Sequence, residues 1–142
     1  MSVTILSISG FMGCTSYVSS IPDRPVSIVR YIHLFGDLMN LGGSLAISAK
    51  VHEADRIGFG GVLIVHGQDD NYYAVDMACP HEVDSNIKIN YSSDSGIAKC
   101  PTCGEEYDLT FGLGTPTKRI SKESLKHYKV SFNGSDEIII TP

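Results

Sequence analysis

Basic residues are scarce and scattered. Lys and Arg number 11 against 16 Asp and Glu, the net charge is −5, and no basic run is longer than Lys118-Arg119. Nothing in the chain is built to neutralise a phosphate backbone, which excludes nucleic acid as a partner class. Cysteine is scarce too: four residues in 142 are too few for a disulfide scaffold of this length. Helix-length amphipathic patterns and internal repeats are both missing. With 42% hydrophobic and only 19% charged residues in one domain's length of chain, disordered and two-domain organisations drop out as well.

What is present favours strands. Ile and Val together number 25 against 15 for Leu plus Ala, so β-branched residues outweigh the best helix formers. Val26 to Leu34 is rich in β-branched and aromatic residues, and Gly42-Gly43 interrupts the chain before a second run, Leu45 to Val51. Gly61 to His66 and Tyr72 to Asp76 flank Gly67 to Asn71 and read as a hairpin. Leu125 to Phe132 and Glu137 to Thr141 flank Asn133-Gly134, a strong short hairpin signal. A short helical turn is expected at Ser121 to Ser124. The whole predicts an antiparallel sandwich or barrel with one long elaborated region, Ala78 to Thr117.

The N-terminus has its own character. Residues 1–13 are apolar, small or branched, and no acid or base occurs before Asp23. Thirteen residues cannot span a bilayer, which takes about 20, but they fit the apolar region of a secretory signal. Phe11-Met12-Gly13-Cys14 resembles a bacterial lipobox, in which the cysteine is lipidated, although the usual Leu and a basic start are missing. On that reading Cys14 is a lipid anchor at an extracytoplasmic membrane surface, residues 14–24 are a serine-rich tether and residues 25–142 are the domain. The alternative is a buried first strand with a free core cysteine.

Three of the four cysteines crowd between positions 79 and 103. Cys79-Pro80-His81 is followed, after eighteen residues, by Cys100-Pro101-Thr102-Cys103-Gly104. Four soft or borderline donors from two loops are the number and type that zinc or an iron–sulfur cluster takes. Each pair follows a strand-like approach, so each falls at a strand end, where adjacent hairpin tips meet. Pro80 and Pro101 stiffen the two loops.

These motifs resemble those of the Rieske family: Cys-x-His, a gap, Cys-x-x-His-Gly, then an aromatic, an Asp, a Gly and a proline loop. Here the second loop continues as Glu105-Glu106-Tyr107-Asp108-Leu109, and Gly112-Leu113-Gly114-Thr115-Pro116 stands where the family has its proline loop. The likeness covers about residues 26–141. It implies an all-β, Rieske-like antiparallel sandwich with a small inserted metal-binding subdomain at residues 78–117. It further implies a 2Fe-2S cluster and one-electron transfer to redox partner proteins, with no substrate site of its own. By position Cys79 and Cys100 hold one iron and His81 and Cys103 the other, with Tyr107 and Pro116 in support.

One departure stands out: the family's last ligand is histidine, and here it is Cys103. Three thiolates and one imidazole also hold 2Fe-2S clusters in the CDGSH-type proteins, and the same donors make a structural zinc site, with Cys-Pro-Thr-Cys-Gly like a zinc-ribbon knuckle. The one-residue spacing of Cys79 and His81 argues for the cluster. Export in an unfolded state, without a twin-arginine motif, argues for zinc. A Cys100–Cys103 disulfide without metal is the third alternative. The non-redox version of the protein is an interaction lipoprotein.

The remaining candidates read as structural. His33, His52, His66 and His127 are scattered through strand or strand-edge contexts. Glu105 and Glu106 are adjacent and point to opposite faces of a strand, so they are expected to be loop and surface groups. Gly58 to Gly61 lacks the Lys-Ser/Thr end of a phosphate loop and reads as a turn.

Overall fold

A computed structural model describes residues 18–142. Residues 1–13 and Cys14, read above as a signal segment and a lipidation site, lie outside the described residues. Eleven strands run in the order β1 (Val26–Tyr31), β2 (Ser44–Ile47), β3 (Arg56–Ile57), β4 (Val62–His66), β5 (Tyr72–Asp76), β6 (Asn90–Ser92), β7 (Ile97–Lys99), β8 (Glu106–Asp108), β9 (Thr115–Pro116), β10 (His127–Asn133) and β11 (Glu137–Thr141). Seven form one sheet in the order β2-β4-β5-β10-β11-β1-β3, and β6 to β9 form a second, smaller sheet. All pairings are antiparallel, so the expected all-β, antiparallel architecture with a small inserted sheet is the one found.

Both hairpins are where turn chemistry places them. β4 and β5 pair from Val62↔Asp76 to His66↔Tyr72, and β10 and β11 close at Asn133↔Glu137 with Gly134 at φ +76°. That backbone region is open to glycine without cost.

β4 explains how the subdomain is attached. All five of its residues are buried, whereas a strand with one wet face alternates. Val62 and Ile64 point into a core with Ile28, Leu38, Ile138 and Ile140, while Leu63 and Val65 point the other way, into a second core with Cys79, Ala98, Cys100, Tyr107 and Leu109. The small sheet therefore covers the outer face of β4 and β5. The unbroken apolar run in the sequence is the signature of burial on both sides.

Three expectations are corrected. The first strand ends at Tyr31, not Leu34, and the chain continues as two 3-10 turns, Ile32–Leu34 and Gly36–Met39. Ile32, Phe35 and Leu38 all pack on the first core, and their spacing of three is the period of a 3-10 helix. The second strand stops at Ile47; Val51 is exposed, and residues 51–55 form a loop in which the Asp55 carboxylate accepts the N–H groups of Val51 and His52. No helical turn forms at Ser121 to Ser124, where the Ser121 hydroxyl instead donates to the Glu123 carbonyl and accepts the Glu123 N–H.

The packed chain also begins ahead of Pro25. Ile21 is buried, the Ser20 backbone N–H donates to the Glu123 carboxylate at 3.0 Å, and Lys126 pairs with Asp23.

Asp55 is also bound in two places by Arg30, at 3.0 and 2.8 Å, with both side chains buried. This paired guanidinium, with the two loop N–H groups, holds the Asp55 carboxyl far below the usual carboxylate range against the opposing effect of burial. A depressed folded-state pKa contributes stability above the unfolded value and loses it as pH falls, so chemical denaturation should show stability declining below about pH 4. An Asp55→Asn variant should be less stable at neutral pH and show a flatter acid decline. For β4, Leu63→Ala and Ile64→Ala should each cost about 2–5 kcal/mol in urea denaturation. A negligible cost for either would mean that one face of the strand is not buried.

Candidate metal centre

Two loops bring the donors together, and each is fixed by its backbone. Beyond β5, Met77 N–H donates to Gly61 and Ile89 N–H returns to Met77, which keeps the chain extended up to Cys79, whose N–H donates to Ile87. After Cys79 the chain folds back at once: the N–H groups of Glu82 and Val83 both donate to the Cys79 carbonyl, and Val83 takes a left-handed φ of +51°. His81 sits on this turn, exposed.

The second loop leaves β7 directly. Cys100 N–H donates to the Glu105 carbonyl at 2.9 Å and Gly104 N–H to the Cys100 carbonyl at 3.1 Å, with Gly104 at φ +78°. In this tight knuckle the N–H groups of Thr102 and Cys103 bear electrostatically on Cys100 Sγ, and that of Glu105 on Cys103 Sγ.

The sulfur atoms of Cys79, Cys100 and Cys103 lie within 4.8 Å of one another, with Cys79 Sγ and Cys103 Sγ 3.7 Å apart. Cys79 and Cys100 are fully buried and Cys103 is half-buried. Burial pushes the Cys103 thiol up to about 12, and contact with the other two thiols adds to this. Burial acts on Cys100 in the same direction, but the N–H donors aimed at its sulfur prevail and hold it below the ordinary thiol value. A knuckle that favours one thiolate in an apolar core, with two more sulfurs beside it, is suited to a soft or borderline cation. The donor set therefore fits a thiolate-bound metal or iron–sulfur cluster. His81 does not fall within the three-sulfur group.

Tyr107 is fully buried, with its hydroxyl 3.3 Å from Cys79 Sγ. Burial and the neighbouring Cys79 both push the phenol pKa well up, so it stays a donor. Pro116 pairs with Tyr107 across β8 and β9 and holds the back of that strand.

Two buried carboxylates flank these loops, and the sequence reading missed both. Asp76, three residues before Cys79, accepts N–H groups from Phe59, Gly60 and Ala78 at 2.8–2.9 Å and the Tyr128 hydroxyl at 2.6 Å. This makes the Gly58 to Gly61 turn part of the site's support, and the turn has no room to spare: a Cβ on Gly60 would lie 2.6 Å from Ala78 N. Glu105 corrects the expectation of a surface group. It is fully buried and accepts four backbone N–H groups, those of Glu106, Lys118, Ile120 and Ser121. Its neighbour Glu106 does face outward and pairs with Lys118 at 3.6 Å. Burial would raise the Glu105 carboxyl, yet the four donors keep it below its usual value.

Three of the four other histidines have hydrogen-bond partners elsewhere. His33 pairs with Asp136, His127 meets the Leu113 carbonyl, and His66 meets Asp70 at 2.6 Å while stacking on Tyr72. His52 is exposed on the loop anchored by Asp55.

No family model matches the chain, and no curated protein matches it. Solved structures do resemble it, among them two of carbazole 1,9a-dioxygenase components. One is the ferredoxin of carbazole 1,9a-dioxygenase from Nocardioides aromaticivorans IC177, at 22% identity and a TM-score of 0.53, covering 83% of this chain and 97% of that one. The other is a chain in a complex of reduced oxygenase and oxidized ferredoxin in carbazole 1,9a-dioxygenase, at 14% identity and a TM-score of 0.50, covering 82% of this chain and 93% of that one. At these identities the likeness is one of fold, and it spans nearly the whole of both relatives.

Replacing Cys79, Cys100 or Cys103 by Ala should each abolish stoichiometric metal binding, because each removes a donor from a closed set. Elemental analysis of the folded variants checks this. Full metal content in Cys103→Ala would mean that a group outside the three sulfurs completes the site.

Proposed function

We propose that the protein is a Rieske-like one-electron carrier with a 2Fe-2S cluster held by Cys79, Cys100, Cys103 and His81. The observation that carries this reading is the convergence of three cysteine sulfurs from two loops, with a histidine two residues beyond the first cysteine, on a Rieske-like fold. When bound, such a cluster supplies reversible one-electron redox chemistry. The chain does the rest. Cys79 and Cys100 are kept out of water by the second core, the knuckle N–H groups hold their sulfurs in place, and Tyr107 donates to Cys79. His81 is the exposed member of the set and gives electrons their shortest route to a partner.

One of the two structural relatives comes from a complex of an oxygenase with a ferredoxin, which supports an oxygenase-type redox partner for this chain too. The second reading, a structural zinc, is favoured by the knuckle geometry, whose paired cysteines and N–H···S bonds suit that ion equally. Anaerobic purification followed by an absorption spectrum and metal analysis separates the two. Brown protein with about two irons per chain supports the carrier, while colourless protein with one zinc removes it. His81→Ala should lose the cluster in the first case.

The ligand charge sets the expected potential. Exchanging a neutral imidazole for the Cys103 thiolate makes the set one unit more negative than two thiolates and two imidazoles, and reduction adds another negative charge. Asp76 and Glu105 stand nearby, with no Lys or Arg paired to them among the described residues. Rieske centres span about −150 to +300 mV and plant-type ferredoxins lie near −400 mV, so voltammetry should return roughly −400 to −150 mV. Cys103→His should sit higher than the parent. A potential above zero would show that ligand charge does not govern this site.

The anchor belongs to the same proposal: Cys14 is lipidated and tethers the carrier to a membrane surface. Cys14→Ser should then move the native protein from the membrane to the soluble fraction, and an intact Met1 terminus by mass spectrometry would exclude it.

A further inference from the structure

Glu105 gathers a whole segment onto the metal centre. Its Oε1 accepts Glu106 N–H and Lys118 N–H, both at 2.9 Å, and its Oε2 accepts Ile120 N–H at 2.6 Å and Ser121 N–H at 2.7 Å. Three of these donors come from four consecutive residues, and the one skipped, Arg119, has a φ of +61°. A left-handed residue flanked by N–H groups that converge on one acceptor is an anion nest, and here the chain fills the nest with its own buried carboxylate. A non-glycine residue holds that conformation only when its surroundings impose it.

The segment so gathered continues directly from the strand that backs Tyr107. Pro116 lies opposite Tyr107 in the small sheet, and the next residue, Thr117, donates its N–H to the Glu106 carbonyl at 2.8 Å. The Tyr107 hydroxyl in turn lies 3.3 Å from Cys79 Sγ. We propose that Glu105 is a positioning residue for the metal centre, holding the 117–121 segment so that Tyr107 stays hydrogen-bonded to the Cys79 sulfur. Its backbone serves the knuckle independently, through the Cys100 N–H and the Cys103 sulfur, so a side-chain substitution leaves those bonds in place. The inference rests on the metal-site reading above.

Glu105→Asp is the informative variant, because it keeps the negative charge while shortening the reach by one methylene. A hydrogen bond to a ligand sulfur stabilises the reduced state more than the oxidised one, so its loss lowers the potential, whereas loss of the carboxylate charge would raise it. In the loaded parent, the amides of Lys118, Ile120 and Ser121 should be protected from hydrogen exchange. In Glu105→Asp they should exchange roughly tenfold faster, as expected for the loss of one or two backbone hydrogen bonds. The potential should fall toward that of Tyr107→Phe, and the double variant should sit at the Tyr107→Phe value. Unprotected amides in the parent overturn the clamp without any variant having to fold. An unmoved potential in Glu105→Asp, or two shifts that add in full, overturns its action through Tyr107. If the parent holds zinc and no iron, the carrier reading falls separately. The clamp is then tested by the same exchange measurement and by cobalt substitution, where Glu105→Asp and Tyr107→Phe should shift the thiolate-to-cobalt charge-transfer band in the same direction, and a band moved by Tyr107→Phe alone overturns it.

Discussion

Three sulfur atoms packed within 4.8 Å of one another inside an apolar core are what the rest of the structure has to accommodate. As thiolates the three would repel one another and lose hydration, so in that form they need backbone donors and a cation to offset the charge. The first offset is visible in the knuckle, where N–H groups of residues 102, 103 and 105 point at sulfur. The second is the ion that the donor set fits. The need for a dry surround accounts for the shape of the domain: β6 to β9 lie over the outer face of β4 and β5, and β4 is buried on both sides as a result.

The loops that carry the cysteines cannot rely on sheet hydrogen bonds, because they begin where the strands stop. Buried carboxylates take over that role. Asp76 ties the approach to Cys79 to the Gly58 to Gly61 turn and to Tyr128, and Glu105 ties the exit from Cys103 to residues 118–121. Backbone N–H groups supply partial positive charge without adding mobile cations to the core, and at Glu105 they outweigh burial and keep the carboxyl below its usual value. Arg30 and Asp55 solve the same problem differently at the far side of the larger sheet, with a full ion pair.

Most of the fold was legible because its signals are local. β-branched excess, the turn residues at 67–71 and 133–134, and the apolar approach to each cysteine pair all act within a few residues, and each led to the element found. The cysteine spacing was legible for the same reason, since a metal loop is a short-range object. What escaped depends on distant partners or on a different period. Ile32, Phe35 and Leu38 are hydrophobic in a β-rich stretch, and only their spacing of three betrays the 3-10 turns. Beside Glu106, Glu105 reads as a surface group in the sequence. The face argument held, with one glutamate turned in and the other out, but the sequence cannot say which face is wet when the inward partners are main-chain N–H groups thirteen to sixteen residues away. A donor that every residue possesses leaves no compositional trace.

The surroundings of the two cysteine loops are asymmetric. Its thiols are buried or half-buried and gripped by the knuckle, while His81 is exposed on a turn held by two N–H bonds to the Cys79 carbonyl. Burying the anionic donors strengthens their interaction with a cation, because the local dielectric is low. The groups whose charge matters most are held by backbone geometry, and of the three sulfurs solvent comes nearest to that of Cys103. Cys103 is the least buried of the three cysteines. One N–H group acts on its sulfur, against two for Cys100. A thiolate at Cys103 thus falls where the fold offers the least protein compensation for its charge, leaving a cation and the adjacent solvent to supply the remainder.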